Sequence, residues 1–209
     1  MYLKLGSLSY WPHRDVIIDN MPKQYRDEFP TCLAIIDCTD IRIEKPTSLK
    51  SQSQCYSDYK STTTLKSLVV TDPRGSVIFV SDLFSGSISD NEICNESGFY
   101  VLSKQLKEMG CIQDNDGMMT DKGFRIDKYL QELKIKLNIP SSASQMSAGD
   151  VAYITRKIAA LRIHTEHAIN QIKNFKLVNR RIPATLFHSI NEIWSVSCLL
   201  TNFQDILVK

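Results

Sequence analysis

The run TCLAIIDCTDIRI, residues 31–43, is followed by TTTLKSLVV, the turn TDPRGS and SVIFVSDLF. These β-branched stretches constrain the fold more than anything else in the chain, because strands need partners in a common sheet. The two runs flanking Asp-Pro-Arg-Gly read as a hairpin, with Pro73 presetting the turn and Gly75 relaxing it. Helix signals follow. Ser89-Asp90 reads as a helix start, with a helical stretch through Leu106, and IDKYLQELKI reads as another helix. GMMTDKGF reads as a short strand entering a loop, and KLNIPS as a further strand. A long helix is expected from about Ser147 to Phe175 and an apolar one from Ala184 to Gln204. Strands alternating with helices in this order predict an α/β fold, a mixed β-sheet flanked by helices with a C-terminal helical pair. Residues 1–30, with prolines at 12, 22 and 30, read as a lead-in segment, and 31–209 as one domain. The stretch from Glu44 to Tyr59 is polar and carries no evident element.

Charge is distributed unevenly. The 209 residues carry a net charge of only +2, yet between Asp150 and Arg181 seven bases face two acids, a net +5 that leaves −3 on the rest. A basic helical segment on a weakly acidic body suggests an anionic partner held on one side. A solvated helix face is the alternative. The six cysteines show no Cys-x-x-Cys pair and no zinc spacing with histidine, and several lie in apolar runs, where a thiol behaves as a small hydrophobe. A reducing compartment is expected. Neither a signal peptide nor a transmembrane run is evident, so the reading is of a soluble intracellular protein.

Three acids stand in places where a carboxylate needs a reason. Asp37 interrupts LAIIDCTDI, where burial without a partner is costly. Asp121 ends the short strand of MMTDKGF just before Gly123, and strand ends at the open side of an α/β sheet are where sites form. Glu166 lies in LRIHTEHAINQIKNFK between Arg162 and Lys173. At 100° per residue, Arg162, Glu166 and Lys173 fall within roughly 40° of one another, about a quarter turn from the apolar stripe of Ile154, Ile158, Leu161, Ala168, Ile169 and Ile172. Glu166 is therefore expected at the border of the buried face, with the bases pointing outward. Three carboxylates from two strands and a helix can hold two divalent ions and activate water for in-line attack on a phosphodiester. The helix alone would equally suit a salt-bridged edge.

The stretches IIDCTDIRIEKPTSL, QCYSDYKSTTTLK, GSISDN, TDKGF and RKIAALRIHTEHAINQIKNFK, in this order and spacing, resemble the catalytic domain of DDE-superfamily endonucleases of the Harbinger type, the transposase-derived group related to the IS4 and IS5 transposases. The resemblance runs from Met21 to the C-terminus. It implies an RNase H-like core and matches Asp37, Asp121 and Glu166 to the family's three catalytic, metal-binding acids. Related transposases carry Tyr-x2-Arg-x3-Glu-x6-Lys on the glutamate helix; Arg162, Glu166 and Lys173 keep that spacing, while Ala159 stands at the tyrosine position. The resemblance thus implies a transposase-type endonuclease, two Mg²⁺ or Mn²⁺ ions as cofactors, and double-stranded DNA, transposon ends or target, as substrate. A separate DNA-binding partner protein, a homodimer and a nuclear location are compatible with it, and membrane association is not expected.

The chain departs from the family where Ser85-Gly86 replaces a usual Gly-Gly and Thr120-Asp121-Lys122-Gly123 a usual Ala-Asp-Arg-Gly. His167 and Gln171 stand where arginines are usual and subtract charge from the DNA-facing helix. Arg162, Lys173, Lys60 and Lys66 are the candidate phosphate contacts, ordinary surface lysines being the alternative for the last two. Asp58 and Asp90 also match family positions, though a helix cap would explain Asp90. Asp40 lies on the strand face opposite Asp37. Trp11, Trp194, Leu199, Leu200 and Phe203 are expected in the core. A rival reading is a catalytically silent domesticated copy acting as a DNA- or protein-binding module, supported by the weakened basic face. Relatives carry an upstream DNA-binding region, for which a chain starting at MYLKLGSLSYW leaves no room: either this is a fragment, or target recognition relies on a partner.

Overall fold

The computed structural model describes residues 10–140 and 148–204. Its centre is β1 (Cys32–Arg42), which pairs antiparallel with β3 (Thr62–Thr71) on one side and parallel with β6 (Gly117–Met119) on the other. β3 also carries β4 (Val77–Val80) through the Asp-Pro-Arg-Gly turn, and β7 (Lys136–Asn138) pairs parallel with β6. Two short strands, β2 (Tyr56–Ser57) and β5 (Phe84–Ser85), add to β3. In space the five main strands run β4-β3-β1-β6-β7, a mixed sheet of RNase H-like order. Gly75 adopts φ +88° in the hairpin turn, where Asp72 receives the N–H groups of Arg74 and Ser76 on its carboxylate.

Alternation along β1 sends its side chains to two layers. Ala34 and Ile36 meet α1 (Arg14–Asp19), α4 (Asp90–Glu96), α5 (Phe99–Glu108) and α6 (Asp127–Glu132) through Ile17, Ile93, Phe99 and Leu130. Ile35 meets α2 (Lys23–Glu28) and the long α7 (Ala148–Lys173) through Tyr25, Ile158 and Leu161. Ile41 meets the far end of α7 and α9 (Ile190–Thr201), where Trp194 is fully buried and donates its indole N–H to Ser67. The lead-in segment packs into the same body: Trp11, Ile17, Met21 and Tyr25 are core residues.

Some elements differ from the sequence reading for identifiable reasons. The stretch from Glu44 to Tyr59 contains α3 (Leu49–Cys55), capped by Ser48, but the helix buries no residue and so has no apolar period to betray it. The helix expected through Leu106 breaks at Gly98, whose φ of +76° ends α4 and allows α5 to start anew. The last apolar helix begins as a 3₁₀ segment, Ala184–Ser189, and becomes α-helical only at Ile190. α8 (Lys176–Asn179) follows α7 after a two-residue break. Phe203 is exposed rather than core. Ser147, the expected start of the long helix, lies outside the described residues.

Candidate active site

Pairing register builds the site. Ile35 of β1 is opposite Met119 of β6, the last pair of that parallel ladder. Two residues further along each chain stand Asp37 and Asp121, so parallel strands deliver two carboxylates to neighbouring positions where the ladder opens. Each is held by a backbone N–H: Asp37 Oδ1 accepts from Cys38 at 2.9 Å, and Asp121 Oδ1 accepts from Gly123 at 2.8 Å. Both converge on one cation. Arg162 Nη2 lies 3.5 Å from Asp37 and 3.8 Å from Asp121.

α7 brings Arg162 there through two polar contacts. The hydroxyl of Tyr25 donates to the Leu161 carbonyl at 2.7 Å, and Thr165 is hydrogen-bonded to Thr71 of β3 at 2.7 Å. Both lie in buried surroundings and fix the rotation of α7 over the sheet. That rotation inverts one expectation. Arg162 points inward, with 14% of its side chain exposed and its Nε buried without a partner, whereas Glu166 is exposed. The base rather than the acid occupies the border position, because Thr165 and Leu161 anchor the helix on Arg162's side.

The surroundings of Asp37 act on its protonation. Burial pushes its carboxyl up to about 6; Arg162 opposes the rise, Asp121 adds to it, the Cys38 N–H opposes it, and Glu166 adds to it. Glu166, one helical turn from Arg162, therefore lies within electrostatic reach of Asp37. Among the described residues no three acids, histidines or cysteines already stand as a metal-binding group. The donor chemistry nevertheless suits a hard divalent ion, because two carboxylates converge on a single cationic nitrogen.

The other candidates separate into two places. Lys173 is drawn into a cavity of about 220 Å³ with Lys60, Arg42 and Asp40. Burial lowers its ammonium, Asp40 and Asp37 pull it back up, and Lys60 and Arg42 push it down. Lys60 is exposed, 4.5 Å above the Tyr59 ring. Asp40 accepts a hydrogen bond from Thr64 at 2.9 Å, away from Arg162. Lys66 is turned inward instead, donating to the Ile88 carbonyl at 2.9 Å and pairing with Asp90 at 3.2 Å. Asp90 is not the helix cap: Ser89 takes that role in a capping box with Glu92, which leaves the Asp90 carboxylate for Lys66. Sequence reasoning passed over this pair, although the GSISDN match contained the signal.

Comparison with known proteins gives the family of the chain. Residues 36–202 match the family model of the DDE superfamily endonucleases. The chain is 30% identical over 98 residues to the putative nuclease HARBI1 of Xenopus laevis, covering 43% of this chain and 27% of that protein. It therefore spans about a quarter of the length of this curated relative. The crystal structure of the catalytic domain of Mos1 mariner transposase is 13% identical, with a TM-score of 0.36, over 92% of this chain and 93% of that one. With the family match covering most of its length, the chain belongs to the DDE superfamily endonucleases.

Proposed function

We propose that this chain is a divalent-metal-dependent DNA endonuclease that hydrolyses phosphodiesters in the manner of a transposase, with Asp37, Asp121 and Glu166 as its catalytic acids. The observation that carries the reading is the parallel register that sets Asp37 beside Asp121, both on one cationic nitrogen of α7. Asp37, Asp121 and Glu166 would hold two Mg²⁺ or Mn²⁺ ions, which supply Lewis-acid stabilisation and activate the attacking water. The chain's own residues do the rest. The Cys38 and Gly123 amides hold the two aspartates in place, so neither must reorganise when substrate arrives. Arg162, already between them, offsets phosphate charge, and Lys173 with Lys60 extends that positive field along the groove. Lys66 is removed from the phosphate contacts by its internal pairing. The substrate is double-stranded DNA, which assigns the work to the nucleus. Selection of the target sequence falls to a separate DNA-binding partner protein.

The test is nicking of supercoiled plasmid in Mg²⁺ or Mn²⁺ by the wild-type chain and by Asp37→Asn, Asp121→Asn and Glu166→Gln. Nicking by the wild type that is lost in all three variants supports the reading. Nicking that persists in Asp37→Asn would place the chemistry elsewhere.

A further inference from the structure

Asp37 and Asp121 are supported unequally. Asp37 lies within β1 and is paired with Val69 of β3, whereas Asp121 stands two residues beyond the last β1–β6 pair, on a turn that continues through Lys122 and Gly123. The β1–β6 ladder ends too early to fix that turn. A second route runs around it. Lys66 projects from β3, opposite Asp40 of β1, and its half-buried ammonium holds both the Ile88 carbonyl and the Asp90 carboxylate, tying the start of α4 to the sheet. The next residue, Asn91, accepts the Arg125 N–H on its side-chain oxygen at 2.6 Å, tying α4 to the far end of the Asp121 turn. Between them sits Gly123: a Cβ there would stand 3.0 Å from Asp121 Oδ1 and 3.6 Å from Asp90 Oδ2. The glycine lets the turn and the first residue of α4 approach this closely.

We propose that Lys66, Asp90 and Asn91 are positioning residues that fix the separation of Asp121 from Asp37. The inference rests on the metal-site reading above and assigns a role to a cluster that does not itself touch substrate. The links run from β1, which carries Asp37 and pairs at Asp40 with Lys66 of β3, through Asp90 and Asn91 of α4 to Arg125, and so to the turn where the Gly123 N–H holds Asp121. Loss of any link removes a polar contact and no apolar side chain of the core clusters. It frees the turn that carries one carboxylate. Such outer supports typically govern metal affinity by 10–100-fold, roughly, without being ligands.

Two measurements on the full chain test this. In Mn²⁺ titration calorimetry, Asn91→Leu should weaken binding at least about tenfold at unchanged Tm, and Asn91→Asp, which keeps the acceptor oxygen, should restore it. Amide hydrogen exchange without metal should show Phe124 and Arg125 exchanging faster in Asn91→Leu and in Asp90→Asn than in the wild type. Unchanged exchange in both variants overturns the positioning role whatever the metal does, as does wild-type Mn²⁺ affinity in Asn91→Leu. If exchange responds as expected while the wild-type chain binds no Mn²⁺, the clamp stands and the nuclease reading fails.

Discussion

Asp37 follows the buried aliphatic run Leu33–Ile36 of β1, and its carboxyl is raised from 3.8 to about 6 mainly by burial. The folded chain therefore holds the Asp37 proton more tightly than the unfolded chain does. The resulting stabilisation is fully present below 3.8 and is lost as pH rises through about 6. At neutral pH the metal-free protein carries this loss, on the order of 1–3 kcal/mol. Asp37→Asn should accordingly stabilise the metal-free chain by a similar amount at pH 7 and by much less at pH 4, as read from chemical denaturation in EDTA. A destabilised variant at pH 7 would mean that the Arg162 contact outweighs the burial. Gly86 presents the opposite constraint. A Cβ there would stand 2.4 Å from Thr64 Oγ1, 2.6 Å from the Thr64 carbonyl and 2.8 Å from the Cys55 carbonyl. Gly86→Ala should therefore cost about 1–3 kcal/mol through forced displacement of backbone, measurable as a lowered denaturation midpoint.

Among the elements, α7 carries the most function, and its placement depends on few polar contacts. Tyr25→Phe removes the bond to the Leu161 carbonyl without changing side-chain volume much, and should cost about 1 kcal/mol in urea unfolding. The elements most legible in the sequence were those whose period is imposed by burial: β1, the β3–β4 hairpin and α7 all follow their apolar residues. α3 was invisible because nothing in it is buried, and the α4–α5 break was missed because one left-handed glycine interrupts an otherwise continuous helical pattern. The site was legible as residue identities, since Asp37, Asp121 and Arg162 do come together. The inward turn of Arg162 was not legible, because helix rotation is set by Tyr25 and Thr71, which lie far away in the chain. The inward turn of Lys66 was not legible for a related reason. A lysine in a polar run looks like surface until its cross-strand and helical partners are known.

At the scale of the whole molecule, residues from β1, α7 and the turn after β6 meet because the sheet order sets β1 between β3 and β6. The basic end of the chain lies beyond that site, with Lys176, Arg180 and Arg181 exposed. If this surface meets DNA phosphate, replacing Arg180 and Arg181 by Gln should weaken DNA binding of the Asp37→Asn variant across sequences and reduce its salt slope by up to about 2. An unchanged slope would assign the DNA path to another face. The central claim, that Asp37, Asp121 and Glu166 form one divalent-metal site, is tested most directly by Mn²⁺ titration calorimetry on the wild-type chain with Asp37→Asn and Glu166→Gln. Mn²⁺ binding that disappears in both variants is the predicted result. No binding to the wild type up to millimolar Mn²⁺, or binding that both variants retain, would contradict it.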